Sequence, residues 1–351
     1  MSFQPPPPAP RGRGSASNPK NRFEKLEYVP EPDAEEASAS PTRFLRDDSQ
    51  SIIAWNDSPD IPFRAGLNPY RGCEHGCAYC YARPTHEYLG YSAGLDFETR
   101  ILVKERAPEL LRAELSKKAW EPQVIAMSGV TDCYQPVERT LELTRRCLAV
   151  LLEFRNPVSI ITKNHLVTRD IDLLAELARH QAVEVNLSIT TLDSELARTL
   201  EPRASSPAHR LAAITKLREA GVPVRVMMAP VIPGLTDHEM PALLAAAAHA
   251  GACDAAYVPL RLPLAVAPLF EQWLERHAPG YKEKVLNRVR DMHGGKLYDS
   301  RFGKRMGGEG IFAGQMHTLF AVSKRKAAFE GTSPNLSTAG FQVPGAQMEL
   351  F

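Results

Sequence analysis

The run Asn68-Pro-Tyr-Arg-Gly-Cys73-Glu-His-Gly-Cys77-Ala-Tyr-Cys80 constrains this chain more than any other feature, because it sets three cysteines at spacings of three and two intervening residues. Three thiolates on one tight loop suit a [4Fe-4S] cube. Each takes one iron, and since such a cube has four, one iron keeps an open coordination position. The competing reading is a tetrahedral zinc site in which His75 or His86 completes a three-cysteine set. The loop spacing departs from the usual paired zinc pattern, which favours the cube.

At 351 residues the chain can form one large domain with tails, or two domains, and its 44% hydrophobic content is that of a globular protein. A formal charge of +1 excludes any argument from global charge, so a nucleic-acid footprint has to be local. No basic segment followed by an apolar stretch opens the sequence, and no apolar run is long enough to span a bilayer. Cys133, Cys147 and Cys253 lie far apart and suggest no disulfide framework. A cytoplasmic protein without a membrane segment is therefore expected.

Residues 1–45 are rich in Pro, Ser, Arg and Glu and poor in apolar side chains, so they read as a disordered tail. After a connector, strands and helices alternate. Strands are expected at 66–70, 124–128, 158–162, 183–190, 222–231 and 255–260. Helices are expected at 107–119, 137–154, 170–180, 207–220, 238–250, 264–277 and 282–292. Six βα units in series imply an α/β fold with a parallel sheet, a partial (β/α)6 TIM-like barrel, and the cysteine loop leaves the C-terminal end of its first strand. Four regions follow: the tail 1–45, a core 46–300, a basic extension 301–330 and a flexible tail 331–351.

Cys73-x3-Cys77-x2-Cys80, with aromatic Tyr79 before the third cysteine, resembles the signature of the radical S-adenosylmethionine superfamily. The resemblance implies a [4Fe-4S] cluster whose open iron binds S-adenosylmethionine through its amino and carboxylate groups, an external one-electron reductant, and reductive cleavage to a 5′-deoxyadenosyl radical. It implies that Tyr79 lies beside the adenine. Ser128, Thr131 and Asp132 occupy the strand end where the superfamily usually has a Gly-Gly-Glu stretch for the methionine amino group, a departure that leaves the acceptor open. Lys163 and Arg203 are candidates for the cofactor carboxylate, Ser188 for its ribose or methionine atoms, and the Val231-Ile-Pro-Gly234 segment for the adenine.

The flanks Asn68-Pro-Tyr-Arg-Gly and Cys80-Tyr-Ala-Arg83-Pro-Thr-His86 are similar to the branch grouped with spore photoproduct lyase, which implies a DNA lesion as substrate. A lyase of that kind returns hydrogen from a thiol, and Cys133 is the candidate donor. Basic residues crowd the stretch from Lys282 to Lys326, and the ending Gln347-Met-Glu-Leu350-Phe351 looks like a peptide that docks on the bacterial sliding clamp. Radical modification of RNA or protein is the alternative within the same chemistry. A zinc-stabilised, clamp-tethered DNA-binding adaptor is the alternative without catalysis.

Overall fold

Strands that alternate with helices along the chain form a sheet covered on both faces, and the computed structural model has that arrangement. It describes residues 10–24, 41–330 and 335–345. The strands are β1 Arg43–Arg46, β2 Ile53–Trp55, β3 Ala65–Leu67, β4 Tyr70–Arg71, β5 Arg100–Val103, β6 Ile125–Met127, β7 Val158–Thr162, β8 Val183–Ser188, β9 Val224–Val231 and β10 Asp254–Pro259. The large sheet has the order β10-β9-β8-β7-β6-β3-β2. All its pairings are parallel except that of the edge strand β2 with β3. All six residues of β8 are buried, as expected for a central strand covered on both sides.

Six parallel strands in chain order are thus the expected six units, and the expected partial barrel is the observed fold. The first strand is shorter than expected. Asn68-Pro69 interrupts it, since Pro69 has no N–H for a ladder, and Tyr70–Arg71 pairs instead with β5 in a small β1-β5-β4 sheet.

The helix expected over 137–154 is two helices, Glu138–Leu141 and Leu143–Phe154, hinged at Glu142 with φ 50°. The break has a side-chain cause. The fully buried Glu138 carboxylate accepts from the amide of Thr144 at 3.1 Å and from that of Arg145 at 3.4 Å, so it caps the second helix. Tyr70 Oη and Arg169 (2.9 Å) complete its shell.

The stretch expected as a separate basic extension carries an 18-residue helix, Gly310–Ala327, whose Met316 and Phe320 enter the main core. Of the basic residues between Lys282 and Lys326, Arg288, Arg305 and Lys324 pair with carboxylates distant in sequence, Asp237, Asp60 and Asp254, and Lys282 pairs with nearby Glu275. Both expected tails are partly ordered. Residues 335–345 pack Phe341 on Phe154 and bond Gln342 N to Phe154 O at 2.9 Å. Residues 10–24 lie along the cysteine loop. Gln347, Leu350 and Phe351, the expected clamp anchor, lie outside the described residues. No helix among the described residues is long and apolar enough to cross a membrane.

Removing the Glu138 carboxylate leaves Arg169 and Tyr70 without their buried partner and the second helix without its cap. Glu138→Ala is expected to lower unfolding free energy by about 3–5 kcal/mol, measured by urea denaturation, while Glu142→Ala at the exposed hinge costs far less.

Candidate cluster and cofactor site

The loop that leaves the C-terminal end of β3 reverses direction at Gly72 (φ 80°) and Gly76 (φ 66°), and places Cys73 and Cys77 in buried positions with Cys80 half-buried. Burial pushes all three thiols up, and for Cys73 the neighbouring Asp132, Cys77 and Cys80 charges add to it. Three thiols on one short loop, two of which act by their charge on Cys73, form a set that iron cations suit, because a coordinating metal reverses the balance against ionisation. The three cysteines therefore fit a [4Fe-4S] cluster.

The loop is held from every side. Cys73 N bonds Phe97 O at 2.9 Å, and Ala78 N bonds Leu200 O at 2.9 Å. Gln135 accepts from Glu74 N and donates to Gly72 O, and Glu74 in turn accepts from Val137 N. Beneath it Arg83, fully buried, donates Nε and Nη2 to Cys77 O at 3.1 and 2.8 Å and pairs with Glu98 at 2.6 Å.

Of the two histidines of the zinc alternative, His75 has both ring nitrogens engaged, and His86 has one engaged and one without a partner. His75 Nδ1 faces Asp132 at 3.3 Å and its Nε2 faces Asn164 at 3.2 Å, while His86 Nε2 bonds Arg100 O at 3.0 Å.

The ends of the other strands close on the same region. Lys163, after β7, stands 5.9 Å from the Tyr79 ring centroid and donates to Ala229 O of β9 at 3.0 Å. It is close enough to lower the thiols of Cys77 and Cys80 against the larger effect of burial. Tyr79 Oη meets Thr190 after β8 and the buried carboxylate of Glu201. Burial would raise that carboxyl, but the Arg210 and Lys163 charges, with hydrogen bonds from Arg210 and Tyr79, hold it at about 2. Ile232, from the segment expected at the adenine, and Leu235 just after it join Cys77, Ala78 and Tyr79 in one apolar cluster.

Other expected site residues are engaged differently. Asp132 already accepts from His75, Thr162 Oγ1, Lys163 N and Tyr134 N, so it organises the strand end. Ser128 accepts from Cys133 N at 2.7 Å, and Thr131 donates to Tyr70 O at 2.8 Å. Ser188 is buried, and its carbonyl accepts from Arg210 at 2.8 Å. Arg203 pairs with Glu74 at 3.1 Å on the flank of the loop.

Cys133 is fully buried in the main core, its carbonyl held by Thr144 Oγ1. Glu201, Arg210, Arg83 and Glu98 escaped the sequence reading, since no local spacing marks a pair that meets only after folding.

A family model described as the radical SAM superfamily matches residues 67–247, which runs from the last residue of β3 through the cysteine loop to beyond β9. The chain belongs to the radical SAM superfamily. It is an enzyme whose cofactors are a [4Fe-4S] cluster and S-adenosylmethionine. An uncharacterized protein of Mycobacterium tuberculosis is 39% identical over 235 residues, 66% of this chain and 68% of that protein. The radical SAM Nalpha-GlyT isomerase of Pseudomonas phage M6 is 28% identical over 173 residues, 49% of this chain and 34% of that one. In fold the chain is similar to spore photoproduct lyase complexed with dinucleoside spore photoproduct, with TM-score 0.57, 15% identity and coverage of 81% of this chain and 79% of that chain.

Burial lowers His86 to about 4, against the hydrogen bond to Arg100 O, and its Nδ1 is buried without a partner. The unfolded imidazole, at its ordinary value near 6.5, takes up a proton before the folded one does. Stability from this group is therefore present above pH 6.5 and lost as pH falls towards 4, by about 3 kcal/mol in all. Urea midpoints across that window should fall steeply for wild type and less steeply for His86→Gln.

Proposed function

We propose that this radical SAM enzyme acts on a nucleobase in nucleic acid, with DNA favoured over RNA. One observation carries the reading. Tyr81, next to Cys80, is 47% exposed and has the Arg261 guanidinium stacked over its ring at 4.8 Å, while Phe302, 60% exposed, carries Arg305 at 4.7 Å. The two stacks are joined. Arg261 bonds Met306 at 2.9 Å and feels the charge of Arg305, and Tyr81 Oη donates to Gly129 O at the end of β6. An exposed aromatic and arginine rim beside the cluster loop is suited to hold an unstacked base by its π-face.

The cluster and S-adenosylmethionine together supply the 5′-deoxyadenosyl radical. The protein's part is placement. Lys163 offers a cation to the cofactor carboxylate, the Tyr79 ring and Ile232 give the adenine an apolar wall, and Tyr81 with Arg261 presents the base to the radical carbon. Two relatives in fold or sequence have names that fit such a substrate: the lyase solved with a dinucleoside photoproduct, and the phage isomerase. Modification of an RNA base uses the same radical and the same rim, whereas modification of a protein side chain would need a different one.

Anaerobic reconstitution with iron and sulfide, followed by dithionite and S-adenosylmethionine, should give 5′-deoxyadenosine in wild type and none in Cys77→Ala. The substrate reading is tested on the reconstituted protein with a single-stranded thymine-rich DNA oligonucleotide in fluorescence anisotropy. Tyr81→Ala with Arg261→Ala should weaken binding by about tenfold or more, since one base on an aromatic contributes about 1–3 kcal/mol. Unchanged oligonucleotide affinity in the double variant would overturn the nucleobase reading and leave the radical chemistry standing.

A further inference from the structure

Residues 10–24 have the composition of a solvated tail, yet they lie in extended contact with segment 83–99, which supports the cysteine loop. Asn21 donates to Glu87 O and Tyr91 O at 2.9 and 3.0 Å, Ser92 Oγ donates to Pro19 O at 2.6 Å, and Leu95 N donates to Ser17 O at 3.2 Å. Asn18 and Asp96 exchange two hydrogen bonds, and Arg22 pairs with Glu87 at 3.1 Å. A chain without regular structure needs such bonds along its length to offset its ordering entropy.

The decisive contact is at one end. Gly14 N and Ser15 N donate to the two carboxylate oxygens of Glu98 at 3.0 and 2.9 Å, and Glu98 is the fully buried partner of Arg83, which holds Cys77 O. Arg13 adds a bond to Glu98 O at 2.9 Å. Gly14 lies so close to the cysteine loop that a Cβ there would stand 1.7 Å from Gly76 O. A Cβ on Gly76 would stand 2.7 Å from Glu98 Oε2. Two glycines and one carboxylate thus fix three strands of chain against one another, directly between Cys73 and Cys77.

We infer that residues 10–24 are a strap that positions the cluster-binding loop and slows its opening, with Glu98 as the latch that couples the strap to Arg83 and the loop carbonyl. Release of iron requires the loop to lift its thiolates off the cube. With the strap seated, that motion has to break the two amide bonds to a buried carboxylate and move Gly14 off Gly76. Glu98 and Gly14 are positioning residues here, acting on the cluster through the loop.

The test uses the anaerobically reconstituted full-length protein and a ferrous chelator, following iron release by absorbance. Gly14→Ala, which cannot seat the strap, and deletion of residues 2–24 should each release iron about tenfold faster or more, the scale of two charge-assisted hydrogen bonds. Arg11→Ala, on an exposed residue of the same segment, should release iron at the wild-type rate. Melting of the metal-free proteins separates positioning from general stability: it should differ little between wild type and Gly14→Ala. A Gly14→Ala protein that melts normally but cannot retain a cluster supports the strap most strongly. Iron release within twofold of wild type in both variants would overturn it, and so would a metal-free melting loss that accounts for the faster release.

Discussion

A loop that presents three thiols inward has to satisfy its own peptide groups without help from a sheet or helix, and here a buried guanidinium does it. Arg83 reaches Cys77 O twice, Ala93 O, Gly94 O and Glu98, so every edge of the fork has a partner. Isolating such a charge from water is costly, and only a nearly complete shell with a facing carboxylate offsets it. Because Glu98 sits at the end of the short helix Leu95–Thr99 and Phe97 O takes Cys73 N, one small element fixes both ends of the first half of the loop. The thiol positions depend on that arrangement.

A second buried pair repeats the device on the far side. Arg210 from the helix Pro207–Glu219 meets Glu201, which also receives Tyr79 Oη and Thr190 Oγ1. This ties the residue before Cys80 to the end of β8, while Asp132 ties His75 on the loop to the end of β7. Strand ends and cysteine loop are thus one hydrogen-bonded body. The carboxylates in it are all bonded, and Lys163 stands among them, 5.9 Å from the centroid of the Tyr79 ring. A low-dielectric setting makes that charge more effective on a bound carboxylate than it would be in water.

What could be read in the sequence was whatever is local. Strand β7 and the helix Lys282–Met292 appear with the boundaries that periodicity gave them, and the cysteine spacing named the cluster without any structure. Glu138 shows the limit: the 137–154 stretch has the helical period throughout, and only a side chain turned back onto the amides of Thr144 and Arg145 splits it. The N-terminal segment was illegible in composition, since its stability comes from bonds to partners about 70 to 85 residues away.

The basic stretch after Lys282 gives the same lesson in electrostatics and bears on recognition. Counted in sequence it is a phosphate-binding surface. Folded, Arg288, Arg305 and Lys324 are each paired to carboxylates from outside the stretch, so fewer charges remain to release counterions from a polyanion. Arg305 illustrates the trade: its Nε is held by Asp60 at 2.6 Å, which orients the guanidinium plane over Phe302. The pairing gives up long-range attraction and gains a fixed flat surface. On the proposed nucleobase substrate, a rim built this way would select by the face of a planar group, with backbone charge as the weaker contribution.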